Sequence, residues 1–163
     1  MLLKIGGFML SAVALYYLTI AVKLKFFLSD VVFLRVPSTV THESRTFVVR
    51  SGGTESVIRE YRSDKGSGCA VFFPGQHGGI ARYERELFGH AVKLGVTVYA
   101  ISYPGYEGAL GKATFGSVRA VTRSAIEYSD MQTPCDISQS VFWGRSLGSA
   151  IAVENALISK PKG

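Results

Sequence analysis

The stretch Phe142–Ala150, FWGRSLGSA, decides the fold of this chain. It contains the pattern G-x-S-x-G over Gly144–Gly148. An apolar run at 137–143 precedes the pattern, and an Ala-rich run typical of a helix follows it at 147–159. Strand, tight turn and helix is the setting in which this pattern forms a nucleophile elbow. We therefore predict Ser146 as a nucleophile, with Gly144 and Gly148 as elbow support, against the alternative that Ser146 only caps the helix.

The sequence before the elbow predicts alternating strands and helices. Continuous apolar runs at 69–73 and 96–101 are typical of buried strands. Apolar stripes at helical spacing predict one helix over 82–94 and another that ends near Asp130. Short strand-like runs at 46–50 and 57–62 flank turn-forming residues and indicate a β-hairpin. The predicted class is α/β, with an N-terminal hairpin and then parallel β-α-β-α-β-α ending just after the elbow.

A glycine-rich turn, Pro74–Gly79, follows the first buried strand. Such a turn can direct a backbone N–H at an oxyanion, and the residue after the nucleophile supplies a second donor. We predict Gln76 and Leu147 as these donors, with His77 as the alternative to Gln76. A plain strand–helix turn is the competing interpretation.

The chain offers no convincing acid or base for a catalytic triad. No His or Asp follows Gly148. His77 would approach Ser146 from the side of the oxyanion loop, His90 lies on a predicted helix, and His42 precedes the hairpin. We assign the triad acid and base to no residue of this chain.

Cofactor and metal sites are not predicted. The run 105–112, GYEGALGK, resembles a phosphate-binding loop, but its first Gly comes one residue too early and Ala113 stands where Ser or Thr is needed. The turn after Phe73 lacks dinucleotide-binding spacing. Cys69 and Cys135 form no metal or redox motif.

The N-terminus carries an uncharged segment of 18 residues, Ile5–Val22. As a helix it would span about 27 Å, close to the ~30 Å hydrocarbon core of a bilayer. We predict a single-pass signal anchor that contacts membrane lipid through residues 5–22. The alternatives are a signal peptide cleaved after Ala12-Val13-Ala14 and a buried soluble helix. A second apolar run at 26–36 contains charges and is too short to span.

The charges around this segment bear on topology and on partners. Lys4 lies on one side, and Lys23, Lys25 and Arg35 lie on the other, so the side of the membrane stays undetermined. These residues supply much of the net charge of +6. No basic stripe with interleaved aromatic residues is present, so nucleic-acid binding is not expected. We predict an anchor and juxtamembrane segment at 1–36 and a second domain at 37–163.

Three motifs together resemble the α/β-hydrolase superfamily, most of all its small membrane-anchored serine hydrolases. They are FFPGQHGG at 72–79, ISYPGYEG at 101–108 and FWGRSLGSA at 142–150. The resemblance covers roughly residues 40–160, the N-terminal half of a typical member. In that family the acid and the His follow the serine. The resemblance implies a partial fold that is inactive as the 163-residue chain. The chain would be a fragment, the product of a truncated gene, or a shortened protein that a partner chain completes.

Several functional alternatives remain at this stage. The first is a serine hydrolase acting on a small-molecule or lipid-like ester, thioester or amide. The second is a non-catalytic binding or scaffold protein on a truncated fold, and the third is an acyltransferase. In the predicted sheet, Cys69 and Cys135 lie near the starts of neighbouring strands. They are either unrelated thiols or, if the domain lies outside the cytosol, a disulfide.

Overall fold

The computed structural model describes residues 2–34, 44–66, 68–132 and 135–163. These residues form two compact units, Met1–Val32 and Phe33–Gly163. The domain boundary predicted between residues 36 and 37 lies outside the described residues, as does His42.

The first unit is a single long helix, α1, Leu2–Val32. Its stretch Met9–Val32 has 24 residues, a mean hydropathy of 1.5 and no buried residue. At 1.5 Å per residue this stretch is about 36 Å long, sufficient to cross a bilayer. A membrane span and a signal sequence both fit it. The helix continues ten residues past the predicted end at Val22 because neither Gly nor Pro interrupts 23–32, although Phe27 leaves helical geometry at φ −123° and ψ 15°.

The second unit is built on a mixed sheet of five strands. They are β1 Arg45–Ser51, β2 Thr54–Tyr61, β3 Gly68–Phe73, β4 Val96–Ile101 and β5 Val141–Gly144. Their order is β1-β2-β4-β3-β5. β2 is antiparallel to both β1 and β4, whereas β3 is parallel to β4 and β5. The predicted hairpin and the parallel arrangement of the three later strands are thus confirmed, and the hairpin makes the sheet mixed.

Helical segments connect the parallel strands. Between β3 and β4 lie a 3-10 turn, Ala81–Tyr83, a π-helical turn, Glu84–Phe88, and α2, Gly89–Lys93. α3 is Phe115–Gln132, a 3-10 turn occupies Ile137–Gln139, and α4 is Leu147–Ser159.

Two segments differ locally from the sequence prediction. The regular helix predicted over 82–94 contains the π turn, where buried Glu84 accepts a hydrogen bond of 2.7 Å from the Tyr61 hydroxyl. The strand predicted over 137–143 begins only at Val141. Before it, the Asp136 side chain accepts a hydrogen bond of 2.9 Å from the Ser138 N–H and caps the 3-10 turn.

The sheet has a core on one face and a covalent link at one end. Aromatic side chains dominate the core on the α2 face, including Tyr61, Phe72, Tyr83 and Phe88. A disulfide joins Cys69, at the start of β3, to Cys135, before β5, with a Cα–Cα distance of 5.9 Å. Of the two interpretations of these cysteines, the structure therefore supports the bonded pair.

The outer edge of β5 is not left bare. Lys162 donates its N–H to the Ser140 carbonyl at 3.0 Å, and Phe142 donates to the Gly163 carbonyl at 2.8 Å. Residues 162–163 therefore run along the outer edge of β5. On α4, Val153 and Leu157 remain exposed, with 61% and 76% of their surface accessible.

Candidate functional site

Ser146 occupies a sharp turn between β5 and α4. Its backbone has φ 52° and ψ −121°, a combination that residues with a Cβ rarely adopt. The side chain is exposed. The turn is closed by hydrogen bonds from the Gly148 N–H to the Arg145 carbonyl and from the Ser149 N–H to the Ser146 carbonyl, both 2.9 Å. The surrounding structure thus holds this serine in a strained conformation, with its side chain accessible.

The two glycines that flank the turn lie against backbone atoms. A Cβ on Gly144 would overlap Gly148 and Ser149, and a Cβ on Gly148 would overlap the carbonyls of Phe73 and Pro74. Because the obstructing atoms are backbone, they cannot move aside as a flexible side chain could. These contacts bring α4 against the end of β3, which is the close approach that the pattern predicts.

The glycine-rich loop after β3 lies directly against the turn. A Cβ built on Gly75 would stand 3.5 Å from the Ser146 Cβ and 3.3 Å from the Arg145 carbonyl oxygen. Arg145 also donates its N–H to the Phe73 carbonyl at 3.1 Å. Gln76, the next residue of the loop, is half-buried. The structure therefore brings the loop that carries Gln76 close to Ser146.

The backbone N–H groups of Gln76 and Leu147 are both available. Within the described residues, no hydrogen bond uses the Gln76 N–H. Leu147 is the first residue of α4, where N–H groups have no partner within the helix. One N–H on the loop and one at the N-terminus of α4 could together stabilise a negatively charged oxygen.

The loop after β4 holds the glycine-rich loop in place. The Tyr103 hydroxyl donates to the Pro74 carbonyl at 2.6 Å, and the Tyr106 hydroxyl donates to the Gln76 carbonyl at 3.2 Å. The Tyr106 ring covers Gly78, whose φ of 63° suits glycine. The buried Glu107 carboxylate accepts a hydrogen bond of 3.0 Å from the Ile80 N–H. These residues therefore position the loop through packing and hydrogen bonds.

Burial affects the protonation of Tyr103. Desolvation, with smaller contributions from Tyr83 and Tyr106, raises the pKa of its hydroxyl well above the usual value of 10. The hydroxyl consequently remains a proton donor to Pro74 at any pH that a cell experiences. The Tyr-Pro-Gly-Tyr-Glu-Gly run after β4 was the sequence signal for this support, although its partners were not predictable.

The two described histidines lie on separate elements. His77 is exposed on the glycine-rich loop, and His90 is exposed on α2. Across 2–34, 44–66, 68–132 and 135–163, no hydrogen bond joins an imidazole or carboxylate to Ser146. The same residues contain no group of three His, Cys, Asp or Glu side chains that could hold a metal ion.

Sequence comparison finds few relatives. No family model matches the chain. Two uncharacterized proteins of Mycobacterium tuberculosis, one from each of two strains, are 32% identical to it over 96 residues. That alignment covers 59% of this chain and 34% of each relative. The alignment thus spans about one third of the length of each of these curated relatives.

Solved structures share the fold. An α/β serine hydrolase without a lid from Xanthomonas campestris superimposes with a TM-score of 0.59 at 18% identity, over 78% of this chain and 61% of its own. A Pyrococcus furiosus esterase superimposes with a TM-score of 0.60 at 15% identity, over 76% of this chain and 50% of its own. An esterase from Pyrobaculum calidifontis superimposes with a TM-score of 0.59 at 17% identity, over 75% of this chain and 40% of its own. The chain therefore has part of the α/β-hydrolase fold.

Proposed function

We propose that this chain is the nucleophile-bearing part of a membrane-anchored serine hydrolase acting on an ester, thioester or amide. The observation that carries the proposal is the backbone of Ser146, strained at φ 52° and exposed between β5 and α4. Strain of this kind persists only where the surrounding structure enforces it, and it clusters at active sites. A serine that served only as a helix cap would accept a hydrogen bond from α4, and Ser146 makes no such bond.

The proposed reaction begins with attack of the Ser146 Oγ on the acyl carbon. The Oγ–C bond forms, the Oγ proton passes to a base, and the carbonyl oxygen becomes an oxyanion held by the N–H groups of Gln76 and Leu147. The bond to the leaving group then breaks as that group takes up the proton. Water attacks the acyl-enzyme in the same way and releases the acid and the free serine.

The base and acid are assigned to no described residue. His77 shares the loop with a proposed oxyanion donor, and His90 lies on α2. We propose that α1 anchors the chain through its stretch Met9–Val32, which is apolar and exposed. A serine that lacks such a base reacts slowly, because removing the base of a triad costs several orders of magnitude in rate.

The test is covalent labelling with a fluorophosphonate in the source membranes. Attack by Ser146 would form an Oγ–P bond and expel fluoride. We expect one adduct, located at Ser146 by peptide mass spectrometry, and its loss in Ser146→Ala. Ser149→Ala is the matched control, because Ser149 lies three residues along the same turn and is also exposed. Absence of any adduct on folded protein would reject the catalytic role and leave the binding or scaffold role.

A further inference from the structure

We propose that a small apolar cavity beside the elbow binds the aliphatic tail of the acyl group. This inference rests on the proposed function and names its substrate class as esters or thioesters of medium-length aliphatic acids. The cavity has a volume of about 180 Å³ and lies between the N-terminal turns of α3 and α4. Its apolar wall is formed by Phe33, Phe115, Val118, Leu147, Ala150 and Ile151.

The position of the cavity connects it to the proposed chemistry. Leu147 lines the cavity and is also the residue whose N–H is the proposed oxyanion donor. An acyl group bonded to Ser146 would therefore be attached to the residue that directly precedes one of the lining residues, Leu147. A larger cavity of about 430 Å³, lined by Tyr61 and Asp64 among others, shares no residue with the elbow.

Aromatic contacts fix one side of the cavity. Phe33 is buried, and its ring centroid lies 5.4 Å from that of Phe115 and 6.2 Å from that of Tyr103. Tyr103 in turn bonds the Pro74 carbonyl of the glycine-rich loop. The wall and the proposed oxyanion loop are thus held by the same tyrosine.

An ion pair and a hydrogen bond join α3 and α4 beside the cavity. Arg119 and Glu154 form an ion pair of 2.7 Å between α3 and α4 and also line the cavity. About one turn further on, the buried Asn155 amide contacts the Thr122 hydroxyl at 3.4 Å.

The size and lining select an aliphatic chain. The cavity is open to solvent on one side, where Ala150 and Phe115 are exposed, so an aliphatic chain can enter it from the surface. At roughly 30 Å³ for each water-sized group, this cavity holds about six methylene groups. Each methylene group that enters the cavity should raise the affinity about fourfold. Methylene groups added after the cavity is full should leave the affinity unchanged.

The test compares fluorophosphonates with alkyl tails of increasing length. The full chain is placed in nanodiscs of one phospholipid, and the rate of adduct formation at Ser146 is measured by intact mass. We expect the rate to rise with tail length up to about six methylenes and then level. Ala150→Trp, which fills the cavity, should abolish the rise. Val153→Trp, an exposed position on the same helix, should preserve it.

A binding measurement separates failure of the cavity from failure of the serine. Saturation-transfer NMR follows hexanoate on Ser146→Ala, with and without Ala150→Trp or Val153→Trp. A signal reduced by Ala150→Trp alone supports the cavity even if Ser146 never reacts. Equal signals in both tryptophan variants overturn the proposal, whatever the labelling shows. Ala150→Leu, a smaller replacement, provides the same comparison if Ala150→Trp does not fold.

Discussion

Replacing Ser146 by glycine should stabilise the folded protein relative to replacing it by alanine. Both changes remove the hydroxyl, but only alanine retains the Cβ that makes φ 52° and ψ −121° unfavourable. Such a backbone costs roughly 1–3 kcal/mol, whereas glycine loses an extra 0.5–1 kcal/mol or so of chain entropy on folding. The difference predicts that Ser146→Gly has a free energy of unfolding about 1 kcal/mol above that of Ser146→Ala.

Urea unfolding in detergent, followed by tryptophan fluorescence, measures this difference. The chain contains one tryptophan, Trp143, directly before the elbow and packed on Phe72 with ring centroids 5.3 Å apart. The matched pair is Ser149→Gly and Ser149→Ala, three residues further along in α4. There glycine should be the less stable variant, by about 1 kcal/mol, because the site is helical.

The critical result is that glycine is the more stable variant at position 146 and alanine the more stable variant at position 149. If Ser146→Gly is no more stable than Ser146→Ala while the Ser149 pair behaves as expected, Ser146 is not strained. The backbone of Ser146 would then give no support to its role as a nucleophile.

Three further predictions concern the scaffold around the site. Reduction of the Cys69–Cys135 disulfide, which closes a separation of 66 residues, should lower the free energy of unfolding by about 4 kcal/mol in urea titrations, and an unchanged midpoint would contradict this. Gly148→Ala should prevent cooperative folding by circular dichroism, whereas Gly116→Ala, whose added Cβ in α3 would come no closer than 3.9 Å to the Thr114 Oγ1, should fold normally. Burial, and then the hydrogen bond to Glu84, raises the pKa of Tyr61. Above about pH 10 the unfolded tyrosine loses its proton while the folded one keeps it, so stability should fall there, and less steeply in Tyr61→Phe.

The sequence predicted the elements whose signals are local. β4 and α4 have the bounds expected from their apolar runs, Val96–Ile101 and Leu147–Ser159. The strand before the elbow was predicted to begin four residues too early, because the cap formed by Asp136 competes with strand pairing. The same apolar pattern fits a 3-10 turn and a strand, and only the hydrogen bond to the Ser138 N–H decides between them.

The arrangement of the site depends on contacts that no local pattern contains. Tyr103 reaches Pro74 across 29 residues, and Phe33 reaches Tyr103 from the segment that follows α1. Tyr103 is completely buried, so it acts as a packing residue beneath the loop. The pairing of Cys69 with Cys135 was one of two alternatives, because spacing alone does not fix a long-range bond.

The strained backbone of Ser146 persists only if its neighbours hold the turn in place, and segments on both sides of the turn do so. On one side, Gly148 lets α4 approach the carbonyls at the end of β3. On the other, the buried Tyr103 hydroxyl fixes Pro74, and the glycine-rich loop cannot withdraw from the turn without breaking that bond. A serine held in this way has its position set before any substrate arrives. Because the proposed donors at Gln76 and Leu147 belong to the same fixed backbone, little reorganisation would be needed to stabilise developing charge there.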